Sequence, residues 1–401
     1  MKSNVRKTVL MASVFTFAFG FYSCSDDNGG GNDGGNSGET SQELVDILGQ
    51  YVNSTVIPTY RHLADASIAL DDACGALYEK KLSGTATNAD VEKICDAWLD
   101  ARQYWEYSEA FLLGPATIKG IDPHIDSWPL DKTALDKMLA TASIMEDMNA
   151  DYITSNYGSG GLCGFHALEY AVFEGGTHKD VSLISENLAK YVYAVSGDLK
   201  LQCILLEAAW AGNSNVTQEK QDFLAEKEAT PEADIDNYGN HFINAGQAGS
   251  RYRTQMEAIV DAVKADKGCY GIANEVGDTK ISDPVSSGNV LDVESWYSYN
   301  SKKDFQDNIR GIENVIMGGM ADMRDEGKSI YAYLKSKNPT LADELKAAIE
   351  DCIGEDGTTG LGTIVYPFRD NLEREKNEVA IKSCQDLRDK LAEVATYLQE
   401  N

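Results

Sequence analysis

The chain has 401 residues, 43% of them hydrophobic, and carries 64 acidic against 35 basic side chains for a formal net charge of −29. That supplies enough apolar material for a sizeable core. The charge excludes broad-surface binding to nucleic acid or anionic lipid head groups, while favouring solubility and remaining compatible with cation binding.

Lys2, Arg6 and Lys7 precede an apolar run from Val9 to Phe21. A positive start followed by a run too short for a comfortable transmembrane helix is the pattern of a bacterial export signal. The run ends in Phe21-Tyr22-Ser23-Cys24, which resembles a lipobox, although Phe21 is bulky for that pattern. The expectation is a lipoprotein signal peptide over residues 1–23, cleavage before Cys24, and a lipid anchor on its thiol. Loss of Lys2, Arg6 and Lys7 removes three positive charges, taking −29 to about −32. Residues 24–41 are expected to be the acylated cysteine and a flexible tether. After Cys24 the sequence SDDNGGGNDGGNSGETS has no hydrophobic residue and cannot pack a core. Such a leash has a root-mean-square length of roughly 20–25 Å. Ser25-Asp26-Asp27 also resembles the acidic signal that sends some lipoproteins to the cell surface. The expected location is therefore the outer membrane or its outer face, with membrane contact through Cys24 alone.

From residue 42 onward strand signals are scarce and helical periodicity is nearly everywhere. Helices are predicted over about 42–80, 88–113, 131–150, 164–174, 180–210, 238–266, 302–319 and 339–353. In the 88–113 helix, Val91, Ile94, Cys95, Trp98, Arg102, Trp105 and Glu109 fall on one stripe. Thr87 and Asp90 have capping-box spacing, and Gly114-Pro115 is a stop signal. A final helix carries Cys384, Leu387, Leu391, Val394 and Leu398 at the steps of a bundle seam. About 360 ordered residues exceed one comfortable core, so two domains are expected. The polar stretch from Gly212 to Asn240 separates them, giving helical bundles over 42–225 and 226–401.

Eight cysteines are present. With Cys24 acylated, the remainder is odd and cannot all pair. No C-x-x-C occurs, so a zinc ribbon or redox motif is unsupported. Several cysteines occupy apolar helical positions, where they act as small hydrophobes. Export leaves room for one or two disulfides whose partners the sequence does not identify.

Gly164-Phe165-His166-Ala167-Leu168-Glu169-Tyr170 reads G-x-H-x-x-E. On a helix, His166 and Glu169 share a face and can offer a nitrogen and a carboxylate to one metal ion. The same spacing also serves ordinary helix packing. Gly164 permits a sharp turn or a close approach. Asp126 is a candidate oxygen ligand or a helix cap. Trp128 precedes Pro129 in a loop ahead of a helix, as a pocket wall or a buried anchor. Glu106 and Glu109 lie three apart on an aromatic-rich helix and face either the site or solvent. Arg310 would pair a carboxylate or an anionic ligand, with an ordinary salt bridge as the default. His124 and His178 read as surface loop residues. The five histidines, His62, His124, His166, His178 and His241, contain no i, i+4 pair, so no H-E-x-x-H zinc peptidase motif exists.

An ordered set of blocks gives these residues a context. Trp98 and Arg102 lead into Tyr104-Trp105-Glu106, then Glu109 to Pro115, then Ile125 to Leu130, the G-x-H-x-x-E block, and Asp304 to Ile312. The set resembles the imelysin family, also called insulin-cleaving membrane proteases, over most of the chain from about residue 42. The resemblance implies an all-α fold of two four-helix-bundle-like domains with a functional site at their interface. It also implies a role near iron acquisition, with iron, haem or a small ligand as cargo and an envelope transporter as partner. His166 and Glu169 would then be the metal residues, holding iron or another divalent metal. Glu169 either completes the coordination or orients the ring; alternatively the pair recognises an organic ligand. Two functions stay open: an envelope binding lipoprotein, and an envelope-anchored metallopeptidase. No catalytic residues are assigned.

Overall fold

A computed structural model describes residues 41–158 and 161–401. The leader, Cys24 and the tether lie outside the described residues. Helix α1 (Gln42–Tyr51) passes through a π-type turn (Val52–Val56) into α2 (Ile57–Leu82), so the predicted 42–80 helix is one rod. Pro58, which has no N–H to donate, follows directly on the π-type turn, where the regular helical bonding is already interrupted. Helix α3 (Asn88–Ser108) opens on the Thr87–Asp90 capping box and tightens to a 3-10 turn (Glu109–Phe111) before Gly114-Pro115.

The next predicted helix is broken. After α4 (Pro115–Ile118) and α5 (Ile121–Ile125), the 131–150 segment divides into α6 (Lys132–Ala140) and α7 (Ala142–Asp147). Thr141 between them is extended, at φ −92° and ψ 103°. Asn149 then caps α8 (Ala150–Tyr157) by accepting from the Tyr152 N–H. Helix α9 (Gly164–Val172) carries the motif and ends where β1 (Phe173–Glu174) pairs antiparallel with β2 (Thr177–His178), the one sheet among the described residues. Helix α10 (Glu186–Ala211) starts later than predicted because Ser185 caps it, its hydroxyl accepting from the Leu188 N–H.

Helix α11 (Gln218–Glu226) forms inside the stretch read as a polar boundary. The predicted 238–266 helix is interrupted, leaving α12 (Gly239–Ile243) and α13 (Gln255–Lys264). Then come α14 (Cys269–Asn274), a π-type turn (Glu275–Ile281), α15 (Ser282–Ser287), α16 (Ser301–Met317), α17 (Ile330–Lys337), α18 (Pro339–Ile353) and α19 (Arg374–Glu400).

The fold is all-α, as expected. Helices α2, α3 and α10 pack side by side, with α8 and α9 against α10. Helices α13, α14 and α18 pack against α19. The α19 seam is fully buried at Cys384, Leu387, Leu391 and Val394. Each such aliphatic side chain contributes about 1.5–3 kcal/mol on burial. Helix α16 joins the two sets by packing against both α3 and α18. The core is continuous across them, and Thr40–Asn401 pack as one compact unit. Among the described residues no helix is long and apolar enough to cross a membrane.

Candidate metal centre

Helix α9 begins where a side chain cannot go. Gly164 has φ +78°, and a Cβ there would lie 2.0 Å from the Ile125 carbonyl oxygen. Glycine therefore lets the first turn of α9 press against the end of α5. Asp126 is the C-cap residue of α5, so this contact brings it to His166. The Trp98 indole donates to the Phe165 carbonyl at 2.9 Å and ties α9 to α3.

His166 is 1% exposed. Its Nε2 lies 3.1 Å from Asp126 Oδ1 and 3.3 Å from Glu294 Oε1, yet is aligned with neither as a hydrogen bond. Donor atoms of Asp126, His166 and Glu294 all fall within 4.8 Å of one another, close enough to be drawn onto one cation. The Trp128 ring meets the imidazole edge-on, centroids 4.8 Å apart, and walls the site.

Glu169 faces two ways. Its Oε1 accepts from the Tyr297 N–H (3.0 Å), the Ser298 N–H (2.8 Å) and the Ser298 hydroxyl (2.7 Å). It thereby pins the turn that carries Glu294. Its Oε2 lies 3.5 Å from His166 Nδ1, on the opposite side of the ring from the triad. Of the two roles open from sequence, this geometry favours orienting the ring over completing the ligand set.

A buried charge network surrounds the triad. The Arg102 guanidinium on α3 is fully buried and contacts Asp126 and Glu106, with Glu294 at 2.7 Å and Asp304 at 3.5 Å. Lys280 bridges Glu294 at 2.7 Å and Glu109 at 3.2 Å. Asn308 on α16 donates to Glu109 at 2.9 Å and to Glu106. The Trp105 indole donates to Asp126 at 2.7 Å.

These neighbours set the protonation states. Burial opposes charge on Arg102, but Asp126, Glu106, Asp304 and Glu294 outweigh it and hold the guanidinium above its ordinary range. Burial likewise opposes the charged His166, and Asp126, Glu169 and Glu294 lift its pKa well above the usual value. Burial pushes Asp126 up, yet Arg102 and His166 bring it well below the usual carboxylate range. Glu294 is depressed in the same way, chiefly by Lys280. Glu106 and Glu109 go up because burial exceeds the pull of Arg102 and Lys280 respectively. Burial pushes Asp304 up to about 6.

The structure thus gathers Asp126, Trp128, Gly164, His166 and Glu169, with Glu106 and Glu109 buried in the adjoining network rather than on a solvated face. Arg310 lies elsewhere. It pairs Glu313 at 2.7 Å and contacts Glu355 on a half-exposed surface, which is the default salt bridge. His124 is not a surface loop residue: it sits in α5 and bonds the buried Asp198 at 2.7 Å. His178 lies in β2, half-buried. Sequence reasoning missed Arg102, Lys280, Glu294, Asp304 and Asn308 as site residues. One signal was available: an arginine on the apolar stripe of α3 requires buried carboxylates around it.

Comparison with known proteins agrees with this architecture. The family model described as Imelysin (Peptidase_M75) matches residues 56–394. Iron-regulated protein A of Synechococcus elongatus is 25% identical over 335 residues, covering 84% of this chain and 80% of that protein. A solved structure described as an iron-regulated protein A precursor from Parabacteroides distasonis is 28% identical with a TM-score of 0.75. That likeness covers 90% of this chain and 96% of the other. An imelysin-like protein from Psychrobacter arcticum, 16% identical, shares the fold with a TM-score of 0.55 over 89% of this chain and 94% of its own. Because the family match runs from α1's continuation into α2 through most of α19, and takes in every residue of the triad, this chain belongs to the imelysin family.

Proposed function

We propose that the chain is a binding protein of the bacterial cell envelope that captures iron, or another divalent metal, at Asp126, His166 and Glu294. The observation that carries this reading is His166 Nε2, a buried ring nitrogen aligned with no hydrogen-bond partner and facing two carboxylate oxygens, where an arriving cation would displace the ring proton that those carboxylates favour. A mixed nitrogen and oxygen donor set suits iron and also zinc. Glu169 orients the imidazole, while Arg102 and Lys280 offset the acidic excess. The names of the relatives from Synechococcus and Parabacteroides, both iron-regulated proteins, support iron as the cargo.

The enclosure of the triad favours a bare cation over haem. Cavities of about 380 and 520 Å³ are lined by residues elsewhere, around Tyr193 and around Val379. The same enclosure weighs against a metallopeptidase, which needs room for a polypeptide beside an open metal position. Anchoring through lipid on Cys24 and transfer of the cation to an envelope transporter complete the proposal.

The test is metal binding by the whole chain, with iron and zinc each offered, beside His166→Ala, Glu294→Gln and Glu169→Gln variants. One equivalent should bind. Affinity should fall by about 100-fold or more without the His166 ligand and by about 10–100-fold without the Glu169 carboxylate. Equal binding by wild type and His166→Ala would sink the assignment. Metal-dependent peptide cleavage lost in the same variants would instead restore the peptidase. Cell fractionation of Cys24→Ser checks the anchor: the variant should leave the membrane fraction.

A further inference from the structure

Helices α18 and α19 lie against each other, and each brings one cysteine to their interface. Cys352 Sγ is 3.6 Å from Cys384 Sγ, and both residues are fully buried. We infer that Cys352 and Cys384 are a disulfide-forming pair that staples α18 to α19 when the chain folds in an oxidising compartment. The compartment rests on the export reading; the choice of pair does not.

The remaining thiols have other partners. Cys95 donates to the Val172 carbonyl at 3.5 Å and Cys269 to that of Ala110 at 4.0 Å. Cys163 donates to the His124 and Tyr157 carbonyls, each at 3.0 Å. Cys74 lies beside Ser196, and Cys203 beside Ser67. The odd cysteine count is thereby resolved into one pair and five buried thiols.

The geometry asks for little movement. Closing to a bond of about 2.05 Å requires a shift of roughly 1.5 Å in the sulfurs, within reach of small side-chain rotations. Each thiol loses a proton, the Sγ–Sγ bond forms, and two electrons pass to an exchangeable disulfide that leaves as two thiols. The neighbouring Cys352 sulfur and burial both hold the Cys384 thiol well above its usual pKa. Thiolate is therefore scarce in the folded protein, and the step belongs to the folding chain, while the sulfurs still meet solvent. The bond would close the loop containing the irregular segment between α18 and α19, lowering the entropy of the unfolded chain.

The test begins with the whole chain, unfolded and reduced. It is refolded in a glutathione buffer at the oxidising poise of a secretory compartment, quenched with acid, alkylated in denaturant so that buried thiols react, cut with trypsin and weighed. Cleavage after Lys346, Arg369, Lys382 and Arg388 releases peptides 347–369 and 383–388. The expected product is these two joined and two hydrogen masses lighter than their sum, with Cys74, Cys95, Cys163, Cys203 and Cys269 alkylated. Alkyl label on both Cys352 and Cys384, or either one joined to a different cysteine, overturns the inference. A Cys352→Ser variant should leave Cys384 alkylated and unfold at the midpoint of reduced wild type, roughly 5 °C or more below the oxidised chain. Chain from cells quenched in acid and alkylated in denaturant separates the two readings. Linked peptides there support both. Free thiols there, with linkage in vitro, keep the pair and reject export.

Discussion

Two arginines show what burial does to a guanidinium. Arg102 is fully buried among four carboxylates, so removing it leaves Asp126, Glu106, Glu294 and Asp304 without their cation. Arg102→Ala should destabilise the protein by about 3–5 kcal/mol, the usual cost of stranding buried charge. Arg310 is half-exposed, and its pairs with Glu313 and Glu355 are screened by water. Arg310→Ala should cost about 0–1 kcal/mol and leave metal binding unchanged. Chemical denaturation of both variants checks the contrast, and similar losses would contradict it. Glu313 adds a pH dependence. Burial pushes its carboxyl up, but bonds from Arg310 and Arg324 win and hold it below its ordinary value. A depressed folded pKa contributes stability above the unfolded value, about 4.3, and loses it as pH falls below that. Between about pH 4.5 and 3, wild type should therefore lose more stability than Glu313→Gln; parallel curves would refute the pairing. Site residues were legible where a local pattern marked them. His166 and Glu169 share a helical face, and Asp126 and Trp128 sit in a recognisable block. Glu294 was not legible. It stands in an irregular turn with no motif, held in place by distant residues such as Glu169, 125 positions earlier.

Helix α16 sits where it does because one of its residues has no side chain. A Cβ on Gly311 would lie 2.3 Å from the Tyr107 carbonyl oxygen on α3. The close approach brings Asn308 to Glu106 and Glu109, and Asp304 to Arg102. Gly311→Ala should force the helices apart, costing about 1–3 kcal/mol as overpacking does, and weaken metal binding with it. Gly49 in α1 has nothing within 4 Å of its Cβ position, so Gly49→Ala should stabilise by about 0.5–1 kcal/mol. Opposite signs in thermal unfolding are the expected result; two gains would mean that helix propensity rather than packing sets both effects. At this scale the sequence is a good guide to long rods and a poor one to their interruptions. The stripe of α3 and the seam of α19 repeat over many turns, and the buried face follows from the repeat. The 131–150 and 238–266 segments keep enough periodicity to read as single helices. They break because Thr141 and the turn before Gln255 make local bonds that periodicity does not encode.

At the scale of the molecule, length and the polar stretch from Gly212 to Asn240 argue for two bundles, while the packing joins both sides in one core. Arg102, Glu106, Glu109, Asp126, His166 and Glu169 come from the 42–225 part. Lys280, Glu294, Asp304 and Asn308 come from the 226–401 part. Pairs form inside each part, but Glu109 takes its cation, Lys280, and Asp304 its cation, Arg102, from across the divide, and α3 would also lose the apolar cover of α16. A buried ion left without its partner costs several kcal/mol, a large part of the 5–15 kcal/mol that typically holds a protein folded. Sequence could not reveal this, because ion pairing across some 200 positions leaves no periodic trace. The whole chain should therefore unfold in a single transition followed by far-ultraviolet circular dichroism. Fragments 42–225 and 226–401, made separately, should keep helical signal yet lack the dispersed methyl resonances of a fixed core. Two resolved transitions in the whole chain, or a fragment with a dispersed spectrum and its own cooperative melt, would mean that the halves are independent bundles. In that case the charge network would be an interface formed after folding rather than part of the core on which folding depends.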